Sequence, residues 1–301
     1  MAVHHRFAVD ASMELAEFME YADAKTDMRD LDSLLALGEQ LSMLGNNRRF
    51  LSKFLEDFIQ ANWNLDSLTA TISQSVMLRS GRDFYLRANF WLPEAEMTES
   101  EALLFAYHQA HDHNFDLLSY AYSGSGYTTD LYEYDYSSVA GYVGERVSLV
   151  PRGNHRHACA DTLLYRCNRD IHFQRPPETP SITLNVIPTA NQYGLQDQYF
   201  FEIEKGDSES GVLSRYAESN IESRRFLFNV AKYVRSERLV RVMCDVIAAY
   251  PCRRTRYEAL RALRECDAGA HDTMVHQLRD DPSPIIQQYV HSVLSGVPAS
   301  A

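Results

Sequence analysis

Apolar residues near the start of the chain recur with helical spacing. Asp10 is suited to begin one helix and Thr26 or Asp27 a second, because short polar side chains cap helix N-termini. The stretch Gly45-Asn46-Asn47 breaks the pattern before a third helix. Six apolar residues of that third helix fall in two adjacent rows and form a wide stripe that must pack against another element: Phe50, Leu51, Phe54, Leu55, Phe58 and Ile59. Residues 1–72 are therefore predicted to be an N-terminal helical segment.

The period of the apolar pattern changes to two after this segment. SVMLRSGRDFYLRANFWL is typical of two strands joined at Ser80-Gly81, and FDLLSYAYSGSGYTTDLYEYDY of two more strands, interrupted by Gly124 and Gly126. Four further runs follow: ERVSLV, DTLLYRC, SITLNVI and QYFFEIE. Turn-rich stretches such as GNHRH and QRPPETP separate the runs, and none leaves room for the crossover helices of a parallel sheet. Residues 73–205 are predicted to form a β-barrel or sandwich.

The rest of the chain has helical spacing. The polar, glycine-bounded stretch Gly206–Gly211 is predicted to be a linker. Two later segments, RTRYEALRALRECD and PIIQQYVHSVLSG, superpose with Ala259 over Val290 and Leu263 over Leu294, at one constant offset. This C-terminal segment is therefore similar to a pair of short HEAT-like helical repeats.

Composition and charge narrow the class of protein. The 301 residues are 45% hydrophobic, which predicts an ordered globular protein, and no run is long enough to span a membrane. The net charge of −12 is unfavourable for binding nucleic acid. The first residues contain no apolar segment typical of export, and the five cysteines form no CxxC pair, so we expect a cytoplasmic protein with reduced thiols.

The strand-rich segment is also rich in histidine, the commonest metal ligand. In a strand, residues i and i+2 point to one face, so His111 and His113 in HDH are able to direct two imidazoles at one ion. His172, between a turn and a strand, is the candidate for a third ligand from a neighbouring strand. His155 and His157, in GNHRH, are the alternatives for that third position.

Two stretches resemble the metal-binding motifs of the cupin superfamily: HDHNFDLLSYAYSGSGY and RDIHFQRPPETPSITLNV. In that superfamily, HxH and a later histidine hold a divalent metal inside a small β-barrel. The common cupin form adds a glutamate three or four residues after HxH, whereas this chain has Asp116 or no carboxylate there. The chain therefore resembles the three-histidine branch, typified by cysteine dioxygenase and related thiol dioxygenases.

A further likeness to that branch concerns a possible substrate ligand. FYLRANFW resembles the strand that presents an arginine to the substrate carboxylate, which makes Arg87 the candidate. The chain departs from the branch at two positions: Leu118 corresponds to its cross-linking cysteine and Asn185 to its outer-sphere histidine. The resemblance implies Fe(II) as the metal, with other divalent metals as alternatives.

Two kinds of additional site residue follow from the pattern. Alternation places Tyr134 on one face with its tyrosine neighbours, so its phenol is a candidate to gate oxygen or donate a proton near the metal. Asp116 or Glu133 is a candidate fourth metal ligand. No G-x-S-x-G elbow, Walker motif or dinucleotide fingerprint occurs, so no motif of the sequence indicates a serine hydrolase or a nucleotide-binding protein.

The sequence thus predicts an α+β protein with three parts. A central cupin β-barrel (jelly roll), residues 73–205, is flanked by N-terminal helices, residues 1–72, and by a HEAT-like helical segment, residues 206–301. We expect a non-haem Fe(II)-dependent oxygenase that uses O2 to oxidise a small amino acid, thiol or carboxylate. The alternatives are a non-catalytic metal or ligand sensor that signals to a protein partner through its helices, and an oxygenase acting on a peptide or carrier-bound substrate.

Overall fold

The computed structural model describes residues 2–61, 71–72, 74–102, 105–189, 196–203, 209–217, 219–234 and 236–296. The chain divides into two compact units, each built from two separate stretches of sequence. Unit 1 consists of Met1–Glu133 and Pro151–Tyr193, and unit 2 of Tyr134–Val150 and Gly194–Ala301.

Helices and antiparallel sheet both contribute to the fold, as predicted. The strands in the described part of the chain are β1 (Val3–His5), β2 (Thr71–Ile72), β3 (Ser75–Ser80), β4 (Phe84–Trp91), β5 (Ala110–His111), β6 (Leu117–Ser123), β7 (Tyr127–Glu133), β8 (Arg146–Ser148), β9 (Val150–His157), β10 (Thr162–Tyr165), β11 (Asp170–Arg175), β12 (Ser181–Pro188), β13 (Tyr199–Glu202) and β14 (Ser210–Tyr216). The helices are α1 (Leu15–Lys25), α2 (Leu31–Ala36), α3 (Gly38–Asn46), α4 (Phe50–Ala61), α5 (Glu99–Ala102), α6 (Ser219–Val234), α7 (Glu237–Ala249), α8 (Arg253–Cys266), α9 (Ala268–Gln277) and α10 (Pro284–Ser295).

Two sheets form the frame of unit 1. The first has the strand order β1-β10-β6-β12-β4-β3-β2, and its neighbouring strands are antiparallel. The second contains β5, β11, β7 and β9 in that order, with β11 antiparallel to both β5 and β7. The predicted hairpins at Ser80-Gly81 and at Gly124 and Gly126 are confirmed, since they join β3 to β4 and β6 to β7. Gly126 has a φ of +72° and its Cα lies so close to a backbone carbonyl that a Cβ would be 2.1 Å from the oxygen.

The N-terminal helices pack on the first sheet and share one core with it. The buried residues of that core come mainly from α1 to α4 and from β3, β4, β6, β10 and β12, and include Phe18, Leu34, Leu41, Leu44, Leu86, Leu118 and Leu184. The first helix begins later than Asp10, at Leu15, because the preceding residues are hydrogen-bonded to α3: the Asn46 side-chain amide donates to the carbonyls of Val9 and Ala11. The predicted break after α3 is confirmed, since that helix ends at Asn46.

Two stretches form strands where turns or helices were predicted. GNHRH is the C-terminal half of β9 and not a turn; most of β9 is exposed, so its sequence lacks the alternation that marks a half-buried strand. The region after the predicted linker begins with β14, not with a helix, and β14 pairs antiparallel with β13 and β8 in unit 2. Residues 206–208 of the predicted linker lie outside the described residues, and its last two residues belong to β14.

Unit 2 combines those three strands with α6 to α10. Its helical core includes Ile247, Ala259, Leu263, Ile286 and Val290. The superposition of the two segments holds for Ala259 and Val290, which are both buried, but Leu294 is 44% exposed whereas Leu263 is fully buried. No helix in the described part of the chain combines the length and the apolar character needed to cross a membrane.

Candidate functional site

Three histidines meet in unit 1, as the HDH pattern and the later histidine predicted. His111 ends β5 and His172 lies on β11, and the two residues are direct partners in the antiparallel register. His113 follows two residues after β5. Each of the three offers one ring nitrogen within 4.8 Å of the others, and all are buried, with exposed fractions of 5 to 8%.

The spacing of the nitrogens suits a single cation. Nε2 of His111 and Nε2 of His172 are 3.0 Å apart. Two ligands at about 2.1 Å from a metal and 90° apart are separated by about 3.0 Å, whereas tetrahedral ligands are separated by about 3.4 Å. Nδ1 of His111 lies 2.9 Å from the carbonyl oxygen of Gln109, which accepts a hydrogen bond from the protonated Nδ1, so Nε2 keeps its lone pair. The first pair of ligands therefore has the spacing of neighbouring positions of an octahedron.

The protonation state of the cluster also suits a cation. Burial, together with the neighbouring His111 and Arg87, holds the pKa of His113 well below its usual value. Burial and the other two histidines likewise hold the pKa of His172 well below its usual value. These imidazoles are therefore neutral near pH 7. Nδ1 of His113 and Nδ1 of His172 are buried and have no hydrogen-bond partner among the described residues.

The histidines face a small cavity between the two sheets of unit 1. Its volume is about 80 Å³. Arg87 lines it from β4 and Asn185 from β12, where the two residues are register partners. Most of the other lining side chains are polar or aromatic: Gln74, Asn89, Trp91, Ser119, Tyr127, Tyr165 and Gln174. Arg87, the predicted substrate ligand, is thus in the same cavity as the histidines.

The candidate fourth ligands are engaged elsewhere in unit 1. The buried Glu133 carboxylate pairs with Arg166 at 2.7 Å and with Arg152 at 3.0 Å. Asp116 accepts a hydrogen bond from the backbone N–H of Cys167 at 2.8 Å, and burial raises the pKa of its carboxyl. Within the described part of the chain, neither joins the three histidines.

The two alternative histidines lie apart from the cluster as well. His157 is fully buried, with Nε2 3.2 Å from the Ser119 hydroxyl, and burial lowers its pKa to about 3. His155 belongs to a different group of side chains, together with His4 and Asp161. The three nitrogens that meet at the cavity are therefore those of His111, His113 and His172.

Tyr134 belongs to unit 2, where its ring packs against Phe201 with the ring centroids 5.4 Å apart. The prediction that it serves the metal assumed that the strand continues through it, but β7 ends at Glu133. The phenols of the cavity are instead Tyr127 and Tyr165, whose oxygens are 3.5 Å apart. Tyr127 was identifiable in principle, because the alternation of β7 places it on the buried face.

Comparison with known proteins adds little. No protein-family model and no curated protein matches the chain. One solved structure, described as a prolyl 4-hydroxylase from Phytophthora capsici, aligns at 13% identity over 94% of this chain and 83% of that chain, with a TM-score of 0.18. A TM-score of that size does not establish a shared fold.

Proposed function

We propose that unit 1 is a cupin-type barrel of the three-histidine kind and that His111, His113 and His172 hold Fe(II) for the oxidation of a small substrate by O2. One observation carries the proposal: three buried imidazoles converge on a cavity that also contains Arg87. The antiparallel architecture of unit 1 is compatible with such a barrel.

The donor set fits a divalent transition metal. Neutral imidazoles suit iron, zinc, copper and nickel, and three of them leave up to three positions of an octahedron for other ligands. Bound Fe(II) would supply the activation of O2. Because three neutral ligands cancel none of the charge of the ion, the cavity favours an anionic substrate such as a thiolate or carboxylate.

Arg87 is the residue that would position such a substrate. Its guanidinium stays protonated and offers a planar set of donors that matches a carboxylate. Its charge already acts on the cavity, since it contributes to the low pKa of His113. Asn89 and Gln174 line the same cavity and each has a buried side-chain polar atom without a partner among the described residues, so a substrate would find further hydrogen-bonding groups there.

The tyrosines of the cavity would act as neutral hydrogen-bond donors. Burial raises the pKa of Tyr127 to about 12 and raises that of Tyr165 well above its usual value. Both phenols therefore keep their protons near pH 7. A cavity of about 80 Å³ suits a small substrate such as an amino acid, thiol or carboxylate.

The test combines metal analysis with oxygen consumption. The full chain, purified without a chelating tag and reconstituted with Fe(II) under nitrogen, is expected to retain iron and to consume O2 with a member of a panel of small thiols, amino acids and carboxylates. His111→Ala should lose the iron, whereas His108→Ala should keep it, because the exposed His108 side chain pairs with Glu94 outside the cluster. An iron content of His111→Ala equal to that of the unsubstituted chain contradicts the proposal.

A variant of the substrate ligand separates binding from metal retention. Arg87→Met should keep iron and lose affinity for the anionic substrate, so KM rises by about tenfold or more. Stoichiometric iron with no oxygen consumption on any substrate would favour the sensor, the second function class predicted from the sequence.

The remaining sequence predictions are proposals about the rest of the chain. We propose that α8 to α10 form a HEAT-like pair with the capacity to bind a peptide or protein partner, which the shared burial of Ala259 and Val290 supports. We also propose that the protein works in the cytoplasm, a placement that its five cysteines support because none of them is in a disulfide. Charge reversal on exposed α8 residues such as Arg261 tests the proposed partner binding, because it should abolish the binding of a partner to these helices.

A further inference from the structure

A second group of metal-ligating side chains lies in unit 1 and shares no residue with the histidine cavity. It consists of His4 on β1, His155 on β9 and Asp161 in the turn before β10, whose ligand atoms lie within 4.8 Å of one another. We propose that these three residues bind a divalent transition-metal ion of the zinc type, at a site that holds the N-terminal strand.

The spacing at this second group suits a tetrahedral ion. Nε2 of His4 and Oδ1 of Asp161 are 3.5 Å apart. A nitrogen and an oxygen at about 2.0–2.2 Å from Zn²⁺, at the tetrahedral angle, are separated by about 3.4 Å. The rings of His4 and His155 have centroids 4.3 Å apart and are tilted by 50°. This geometry differs from that of the cavity, where the shortest spacing is 3.0 Å.

The carboxylate of the group is held in place before any ion binds. The other carboxylate oxygen of Asp161, Oδ2, accepts the backbone N–H of Ala158 at 3.2 Å, and the Asp161 N–H donates to the carbonyl of Ala158 at 2.9 Å. Nε2 of His155 is buried and has no hydrogen-bond partner among the described residues. A buried ring nitrogen without a partner costs free energy, and a cation would remove that cost.

The exposure of the group indicates a site open to solvent on one side. The His4 side chain is 42% exposed, whereas that of Asp161 is 9% exposed. Two imidazoles and one carboxylate leave at least one position for water on a tetrahedral ion. Because β1 is an edge strand of three residues that pairs only with β10 in the described sheet, an ion shared by His4 and Asp161 would hold it in place.

The experiment counts the equivalents of Co²⁺ bound by the full chain and records its visible absorption, which is intense for tetrahedral sites. To isolate the second site, the titration uses the His113→Leu background, in which the cavity cluster lacks one ligand. We expect one equivalent of tetrahedral Co²⁺ in that background. His155→Ala added to it should abolish this equivalent or weaken it at least about tenfold, and Asp161→Asn should do the same.

The matched control is His5→Ala, on the same strand but outside the group, which should bind Co²⁺ as the background does. Amide hydrogen exchange gives a second measurement: Co²⁺ should slow exchange on β1, and His155→Ala should remove that protection. The inference is overturned if the background binds no Co²⁺, or if its binding is unchanged by both His155→Ala and Asp161→Asn.

The second site does not depend on the proposed oxygenase. Titration of the unsubstituted chain separates the two: two equivalents support both sites. One equivalent that is lost with His155→Ala supports the second site alone and contradicts the cavity site. One equivalent that is lost with His113→Leu instead contradicts the inference made here. If His113→Leu fails to fold, the effect of His155→Ala on the unsubstituted chain gives the same answer.

Discussion

Replacing one of the three proposed metal ligands should stabilise the metal-free protein, and His113→Leu is the sharpest case. His113 is 8% exposed, its Nδ1 has no hydrogen-bond partner within the described part of the chain, and its ring packs against Phe115 and Tyr165. A buried polar atom without a partner costs about 1–3 kcal/mol. An apolar side chain of similar size removes that cost, while its different shape costs up to about 1.5 kcal/mol.

The net expectation for His113→Leu in chelator is a free energy of unfolding between about 0.5 kcal/mol lower and about 3 kcal/mol higher than that of the unsubstituted chain. With metal bound, the unsubstituted chain should be the more stable of the two proteins. An ion at a hundred times its Kd stabilises the unsubstituted protein by about 2.7 kcal/mol, and the variant lacks the contribution of the cavity. The assay is urea unfolding followed by circular dichroism, with EDTA and with saturating Fe(II) under nitrogen.

The matched control is a residue that serves packing alone. Leu184 is fully buried in the core of unit 1, so Leu184→Ala should cost about 2–5 kcal/mol both with and without metal. A loss of about 2 kcal/mol or more for His113→Leu in EDTA would refute the reasoning, because it would mean that the imidazole is held for structural hydrogen bonds.

Two further predictions concern stability, each with a matched control. Arg254→Met should cost about 3–5 kcal/mol in urea unfolding, because it leaves the Asp197 carboxylate buried without the guanidinium that now lies 2.9 Å away; Arg261→Met, on an arginine that is 52% exposed, should cost less than about 1 kcal/mol. Equal losses of stability in the two variants would contradict the importance of the buried ion pair. Gly126→Ala should lower the thermal midpoint more than Gly153→Ala, since both residues have positive φ but only the first meets a backbone carbonyl. A larger effect at Gly153 would show that backbone strain alone decides.

The sequence predicted the parts of the site that carry a distinctive residue type. Histidines at i and i+2, followed by His172 next to a strand, are rare enough in combination to be recognised, and the structure brings all three together. The strand pair that contains Arg87 was equally clear, because its apolar alternation is strong and its hairpin has a glycine turn.

The rest depended on contacts between distant parts of the chain. Asn185 and Gln174 have no signal of their own, since a polar residue on an inward face looks like one on an outward face until both sheets are in place. The strand β9 was not predicted, because it is exposed along most of its length and its sequence therefore lacks alternation. His4 meets Asp161 only through the pairing of β1 with β10, and neither has a local pattern that indicates a partner.

The arginines of α8 illustrate the same limit in unit 2. In the sequence they form a local basic patch, typical of a solvated helix face. In the structure Arg254 is 4% exposed and pairs with Asp197, and Arg256 pairs with Asp281. These two charges are neutralised by carboxylates that are remote in sequence, whereas Arg261 is 52% exposed, so only part of the patch is internal to the unit.

The most direct test of the central claim is a crystal structure of the Fe(II)-loaded protein, with anomalous scattering measured on both sides of the iron absorption edge. We expect an iron peak in the cavity within about 2.2 Å of one nitrogen each from His111, His113 and His172. A cavity without such a peak, in which Nε2 of His111 and Nε2 of His172 still share a hydrogen bond, would contradict it.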